Sequence, residues 1–249
     1  MEGGNRQHAA RTSSHRRLQK ELTMPQCRPG YAASSTLRLK DLARRAERYE
    51  RIVAAATTLA ARGTFDCQIR TVAEAAGVAP STVYRYFTSK DEILLACLLR
   101  WLREFSTSTM ETGSGKFNCH QRVLELARKL TASMCATPGF TEAVIRPYVY
   151  AHGAAASTRA EMVREELIHI FCRAMSDGEP SPLHRSVAEL FTDVWVTNIA
   201  AICQHRISID DLLHRLALIV DALTQTDRHA ESVGESHKAT EVPDEKDVA

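Results

Sequence analysis

The chain has 249 residues, of which 44% are hydrophobic, 25% charged and 6% aromatic, the balance of a soluble globular protein. Aromatic and β-branched runs are scarce beside abundant Ala and Leu, which favours helix over sheet. Seven cysteines, at positions 27, 67, 97, 119, 135, 172 and 203, are an odd number without a C-x-x-C pair. That argues against a disulfide framework and a zinc ribbon, and fits a reducing cytoplasm.

Charge is informative when divided. Residues 1–90 hold 16 Lys and Arg against 7 Asp and Glu, a net of +9. Residues 91–249 hold 16 against 23, a net of −7, which leaves the overall +2. A basic third on an acidic remainder points one end at a polyanion, unless it is a basic tail without a partner. The opening MEGGNRQHAARTSSHRR lacks the apolar core of a secretory leader. No apolar stretch approaches the ~18–20 residues of a membrane span, Val194–Cys203 being the best candidate. A cytoplasmic protein without membrane contact is expected.

In chain order, residues 1–40 mix Arg, Ser, Gly, His and Pro without periodicity and read as a disordered basic arm. From Asp41, the positions Leu42, Ala46, Tyr49, Ile52, Val53, Ala56 and Ala60 recur at helical spacing, and Gly63 ends that helix. A short helix over Ile69–Ala76 stops at Gly77, and a second runs from Pro80 to Phe87, with Pro at a first helical position. Ser89 caps a helix from Lys90 to about Thr107. Beyond the Gly113-Ser114-Gly115 loop, apolar periodicity marks helices around 123–134, 140–150, 162–174, 187–202 and 212–223. The last two open at Ser181-Pro182 and at Ser208-x-x-Asp211, a capping-box spacing. Residues 226–249 read as a disordered acidic tail. The fold class is all-α: a small helical domain over 48–108 and a larger one over 109–225.

The segment 68–87 is the most specific signal. Two short helices on a Gly turn form a helix-turn-helix. Val72, Ala73, Ala76, Val78, Val83 and Phe87 would pack the pair, which leaves Ser81, Thr82 and Arg85 outward. Small hydroxyl side chains let a helix approach base edges in a major groove. Tyr84 and Tyr86 can hydrogen-bond phosphates, and Lys90 joins its charge to a helix N-terminus. With Arg70, Thr71 and Pro80 these make the candidate DNA-contacting set. A helical hairpin without a DNA role is the alternative; the basic helix before it, the Tyr84-Arg-Tyr-Phe87 ending and Lys90 argue against that.

The run Ile52-Val-Ala-Ala-Ala, Thr71-Val-Ala-Glu-Ala-Ala-Gly-Val, Tyr84-Arg-Tyr-Phe87 and Lys90-Asp-Glu-Ile-Leu94 resembles the DNA-binding domain of TetR-type transcriptional repressors. The resemblance implies a homodimer on a palindromic double-stranded operator, with a ligand pocket in the C-terminal helices. Ala79 departs from the pattern, where many members have a capping Ser. Phe140-Thr-Glu-Ala, Tyr148-Val-Tyr, Arg173-Ala-Met-x-x-Gly-Glu-Pro180 and Asp193-Val-Trp-x-x-Asn198 are similar to the KstR branch, which controls steroid catabolism. That similarity implies repression of lipid or steroid catabolism genes and release by an apolar acyl-CoA-type effector. Pro147 and the long basic arm depart from that branch.

Trp101, Phe105, Phe140, Tyr148, Phe171 and Trp195, with Asn198 as a polar contact, are candidate ligand-pocket residues; core packing is the alternative for each. Arg103 or Arg146 could meet CoA phosphates. The helices at about 187–223 are expected to form the dimer seam, with Leu216 and Leu223 inside it. His169 and Cys172, or Cys203 and His205, have spacings a metal sensor could use, but core Cys and solvated His are commoner. No cofactor, metal or catalytic motif is expected, so the chain is not read as an enzyme. Open alternatives are a regulator of efflux or fatty-acid genes, a DNA-binding protein without effector, and an all-α lipid carrier or enzyme.

Overall fold

A computed structural model describes residues 29–63, 68–110, 118–176 and 178–222, with backbone alone for 29–37 and 110. Residues 1–28, the Gly113–Gly115 loop, Leu223 and the acidic tail lie outside the described residues. The helices are α1 (Pro29–Ala61), α2 (Ile69–Ala75), α3 (Pro80–Tyr84), α4 (Lys90–Met110), α5 (Cys119–Cys135), α6 (Pro138–Val149), α7 (Ala154–Met175), α8 (Pro182–Cys203) and α9 (209–222), and no strand occurs among the described residues. The chain divides between Arg48 and Tyr49 into two units.

In the first unit, α1 begins at Pro29, so residues 29–40, read as part of a disordered arm, are helical. Pro is tolerated in a first helical turn, where its missing N–H breaks no bond, and after Gly30 no Gly or Pro interrupts the chain until Gly63. Leu39 is 65% exposed, and Leu42, read as the first residue of the apolar stripe, is 62% exposed, so the buried face of α1 begins further along the helix.

In the second unit the core starts with Ile52, Val53, Ala56 and Ala60 of α1 and continues through Val72, Ala73, Val83 and Phe87. Gly63 and Gly77 both take positive φ, +71° and +63°, a backbone region that costs an L side chain about 1–2 kcal/mol. These two turns end α1 and α2 where the residue pattern predicted.

The long helix α4 packs against α6 and α7, and α7 packs in turn against α5 and α8. Its run Ile93–Leu99 is wholly buried. Caps set the helix starts. Ser89 Oγ accepts from Glu92 N at 3.1 Å, and Asn118 and Gln121 bond reciprocally at the start of α5. Ser181 and His184 do the same for α8, and Ser208 and Asp211 for α9. The Ser208 bonds hold the Asp211 carboxyl below its ordinary range. Pro147 does not prevent α6 from continuing to Val149.

By length and composition α8 is apolar enough to cross a membrane. This corrects the expectation that no apolar stretch approaches a span's length: Glu189 and Asp193 divide the stretch into shorter apolar pieces. In the fold its Ala188, Phe191, Trp195 and Ile199 are buried, with α8 against α6 and α7, as expected of a core helix.

Candidate nucleic-acid interface and adjoining cleft

The second helix of the hairpin, α3, is five residues long and shorter than the Pro80–Phe87 expected. Its N-cap is Ala79, which offers no side-chain oxygen, so Thr82 N bonds only the Ala79 carbonyl, at 2.8 Å. Val83 and Phe87 are fully buried and fasten the helix from below. Around them Arg70, Thr71, Pro80, Ser81, Tyr84 and Arg85 are exposed, and Thr82, Tyr86 and Lys90 are half-buried. Tyr84 is 59% exposed. The Arg85 guanidinium sits 5.8 Å from the centroid of the Tyr86 ring, a cation–π placement that holds both on one side. The structure therefore brings these nine residues to the surface of one small hairpin and its junction with α4.

On the C-terminal side of that junction lies a cleft of about 1170 Å³. Lys90, Asp91 and Leu94 of α4 form one wall and Ile145 to Val149 of α6 another, with Ala160 and Arg164 of α7, Val196 and Ala200 of α8, and Arg206 beyond α8 among the further lining residues. The lining is apolar at Leu94, Ile145, Pro147, Val149 and Val196. It is basic at Lys90, Arg146, Arg164 and Arg206, and acidic at Asp91, Glu142 and Glu161. Arg164 also reaches Asp193, at 3.1 Å. Burial pushes the Tyr148 phenol up to about 12.

Of the seven candidate pocket residues, Tyr148 alone lines this cleft. Phe140, Phe171 and Trp195 are buried in the core, and Phe171 meets Phe191 edge-on at 5.7 Å. The Trp195 indole donates to Thr131 Oγ1 at 3.0 Å. Asn198 donates to the Val194 carbonyl and accepts from Arg215 at 2.7 Å. Trp101 is half-buried and stacked on Phe105 at 5.6 Å, beside Phe140. Apolar helical spacing marks a buried face equally well whether that face meets another helix or a cavity, so it could not separate these residues from the cleft. The cleft's own wall, at Leu94, Pro147 and Val196, combined elements far apart in sequence and was missed.

Arg103 bonds Glu166 at 3.2 Å and is not in the lining, whereas Arg146 is. His169 is exposed, while Cys172 is buried against the His184 carbonyl. Among the described residues, no group of three His, Cys, Asp or Glu side chains could hold a metal ion.

A Gly-turn hairpin with a buried underside and an exposed polar second helix, carried on a helical bundle, defines a helix-turn-helix DNA-binding regulator. The sequence matches two family models, "Bacterial regulatory proteins, tetR family" over residues 52–97 and "Tetracyclin repressor-like, C-terminal domain" over residues 117–223. It is 36% identical over 182 residues to the HTH-type transcriptional repressor KstR of Mycolicibacterium smegmatis, which covers 73% of this chain and 89% of that protein. It is 35% identical over 178 residues to the KstR of Mycobacterium tuberculosis, covering 71% and 80%. Among solved structures, a TetR transcriptional regulator from a Rhodococcus species matches with a TM-score of 0.63 at 24% identity, covering 71% of this chain and 94% of that one. The chain belongs to the TetR family of bacterial regulators and is a DNA-binding transcriptional repressor of that type.

Proposed function

We propose that the protein is a cytoplasmic homodimeric repressor of lipid or steroid catabolism genes, released from its palindromic operator by an acyl-CoA-type effector in the cleft. The observation that carries this reading is where the cleft lies. Lys90, Asp91 and Leu94, the first residues of the helix that follows the hairpin, form one wall. A ligand seated there pushes on α4, and α4 carries the hairpin. Apolar side chains suit an acyl or steroid body, and Arg146 and Arg206 suit phosphates at its end. The KstR-like residues of the C-terminal half support that ligand class.

Ser81, Thr82 and Arg85 serve as base readers. Tyr84, Tyr86, Arg70, Thr71, Pro80 and Lys90 surround them as backbone contacts. A single short helix cannot specify a site, so two copies read half-sites ~34–36 Å apart. In this reading α8 and α9 form the seam, but without Leu216: that residue is fully buried inside the protomer, and Leu223 lies outside the described residues. The exposed Leu183 and Leu190 of α8, with Leu218 of α9, supply the outward face instead.

The test is to titrate steroid- and fatty-acyl-CoAs into a protein–operator complex and follow release. Release by these, with a ligand preference of ~100-fold for the free form corresponding to ~2.7 kcal/mol, supports the reading. Release only by a small polar compound overturns it.

A further inference from the structure

Beside the cleft, and outside its lining, sits a charged pair, a half-buried Arg159 on a buried Glu92, that the function above does not use. Arg159 of α7 donates from Nη2 to Glu92 Oε1 at 3.3 Å and from Nη1 to the Tyr49 hydroxyl at 3.0 Å. Its guanidinium lies 5.6 Å from the Phe87 ring centroid and 5.9 Å from that of Tyr49. The two rings stack on each other at 5.3 Å. Glu92 turns its second oxygen to Thr88, accepting from the backbone N–H at 2.7 Å and from the hydroxyl at 3.0 Å. The side chains of Arg159 and Glu92 are 17% and 8% exposed.

Such a pair is a weak source of stability, because desolvation offsets the attraction. What it supplies is geometry: a planar cation presents two donors in one plane and a flat face to aromatic rings. Arg159 Nε is buried without a hydrogen-bond partner, so hydrogen bonding alone does not account for the guanidinium's place; the ring faces fix it too. The four groups come from α1, the residue that ends the hairpin, α4 and α7. Phe87 and Thr88 directly follow the turn after α3. Arg159 therefore ties the end of the hairpin to the C-terminal bundle through one side chain.

We propose that Arg159 is a positioning residue for operator binding. Through Glu92, Tyr49 and Phe87 it sets the angle at which the bundle carries the hairpin, and so the spacing of the two recognition helices in the dimer. This rests on the reading that α3 contacts DNA in a dimer. The chain neighbours of the clamp, Ala160 of α7 and Asp91 of α4, line the cleft. A ligand that parts those helices therefore pulls on the Arg159–Glu92 contact.

The probe is a duplex selected by the full-length protein from a random-sequence pool. It is compared with duplexes whose half-sites are one or two base pairs further apart, and with a single half-site. Arg159→Met is expected to weaken the selected duplex about tenfold, an ordinary coupling between distant sites. Half-site binding should stay within about twofold and the preference among spacings should flatten; Arg159→Lys, which keeps the charge without the planar fork, should recover only part of the loss. If Arg159→Met does not fold, Tyr49→Phe and Glu92→Gln must show the same flattening. A parallel fall on every duplex, or a spacing preference as sharp as that of the unsubstituted protein, overturns the proposal. If the unsubstituted protein itself ignores spacing, the dimeric-operator reading fails and the clamp falls with it.

Discussion

A Cβ on Gly139 would stand 2.8 Å from the backbone nitrogen of Gly63 and 2.9 Å from its Cα. The start of α6 thus presses on the turn that ends α1, backbone against backbone, and neither side can rotate away as a side chain could. Gly139→Ala forces the two segments apart and should destabilise by about 1–3 kcal/mol. For a chain of this size that is a fall of several degrees in thermal midpoint, read by circular dichroism. An unchanged midpoint would show that the approach is not held in solution.

Lys90→Ala and Thr82→Ala should weaken DNA binding in different ways. In the proposed docking Lys90 is a phosphate contact, so its loss should lower affinity for all sequences alike and reduce the salt slope by ~1. Thr82 is proposed as a base reader, so its loss should relax preference at one position in each half-site by about 1–3 kcal/mol. Fluorescence anisotropy over a salt series, with single-base operator variants, separates the two effects. Swapped signatures would invert the roles.

Exposure separates two kinds of leucine near the chain's end. Leu183→Asp with Leu190→Asp places charges on an outward face, and should yield folded monomers that no longer bind the operator. Leu216→Asp puts a carboxylate at a fully buried site, and should unfold the protein rather than dissociate it. Sedimentation and circular dichroism together read both outcomes; a dimeric double variant would move the seam elsewhere.

The buried pair Trp195–Thr131 should show an asymmetric cycle. Thr131→Val leaves the indole N–H without a partner in the core and should cost about 1–3 kcal/mol. In Trp195→Phe the Thr131 hydroxyl keeps its bond to the Ala127 carbonyl, at 2.7 Å, so its loss is mainly volume. The double variant should be less destabilised than the sum of the singles. Strict additivity in urea melts would mean that the bond contributes nothing.

Burial raises the Tyr148 phenol to about 12 from an ordinary 10.0, so the folded state holds that proton more tightly than the unfolded one. The stabilising effect is complete below about pH 10 and is lost as pH rises towards 12. Burial raises the Tyr49 phenol as well, so a tyrosinate absorbance titration should show a late component that Tyr148→Phe diminishes and the further change Tyr49→Phe removes. Because Tyr148 lines the cleft, an occupying ligand should shift its share of that component.

Helix existence and most helix ends were readable from residues close together in the chain. Gly63, Gly77, Ser89 and Ser208-x-x-Asp211 act through turns and caps that span four residues or fewer, and the hairpin from Ile69 to Phe87 is such a local unit. The candidate DNA-contacting residues follow from it, because a short hairpin has one buried side and one outer side. Asn118-x-x-Gln121 carried the same kind of signal for the start of α5 and was overlooked.

The cleft and the clamp were not readable. Leu94, Pro147 and Val196 meet only after four helices have packed, and Arg159 finds Glu92 and Tyr49 across 67 and 110 positions. Helical periodicity tells which face of Trp195 or Leu216 is buried, but not whether a cavity, a neighbouring helix or a second copy covers it. That is decided by how rigid helices fill space against one another, a property of the whole set of contacts and of no segment alone.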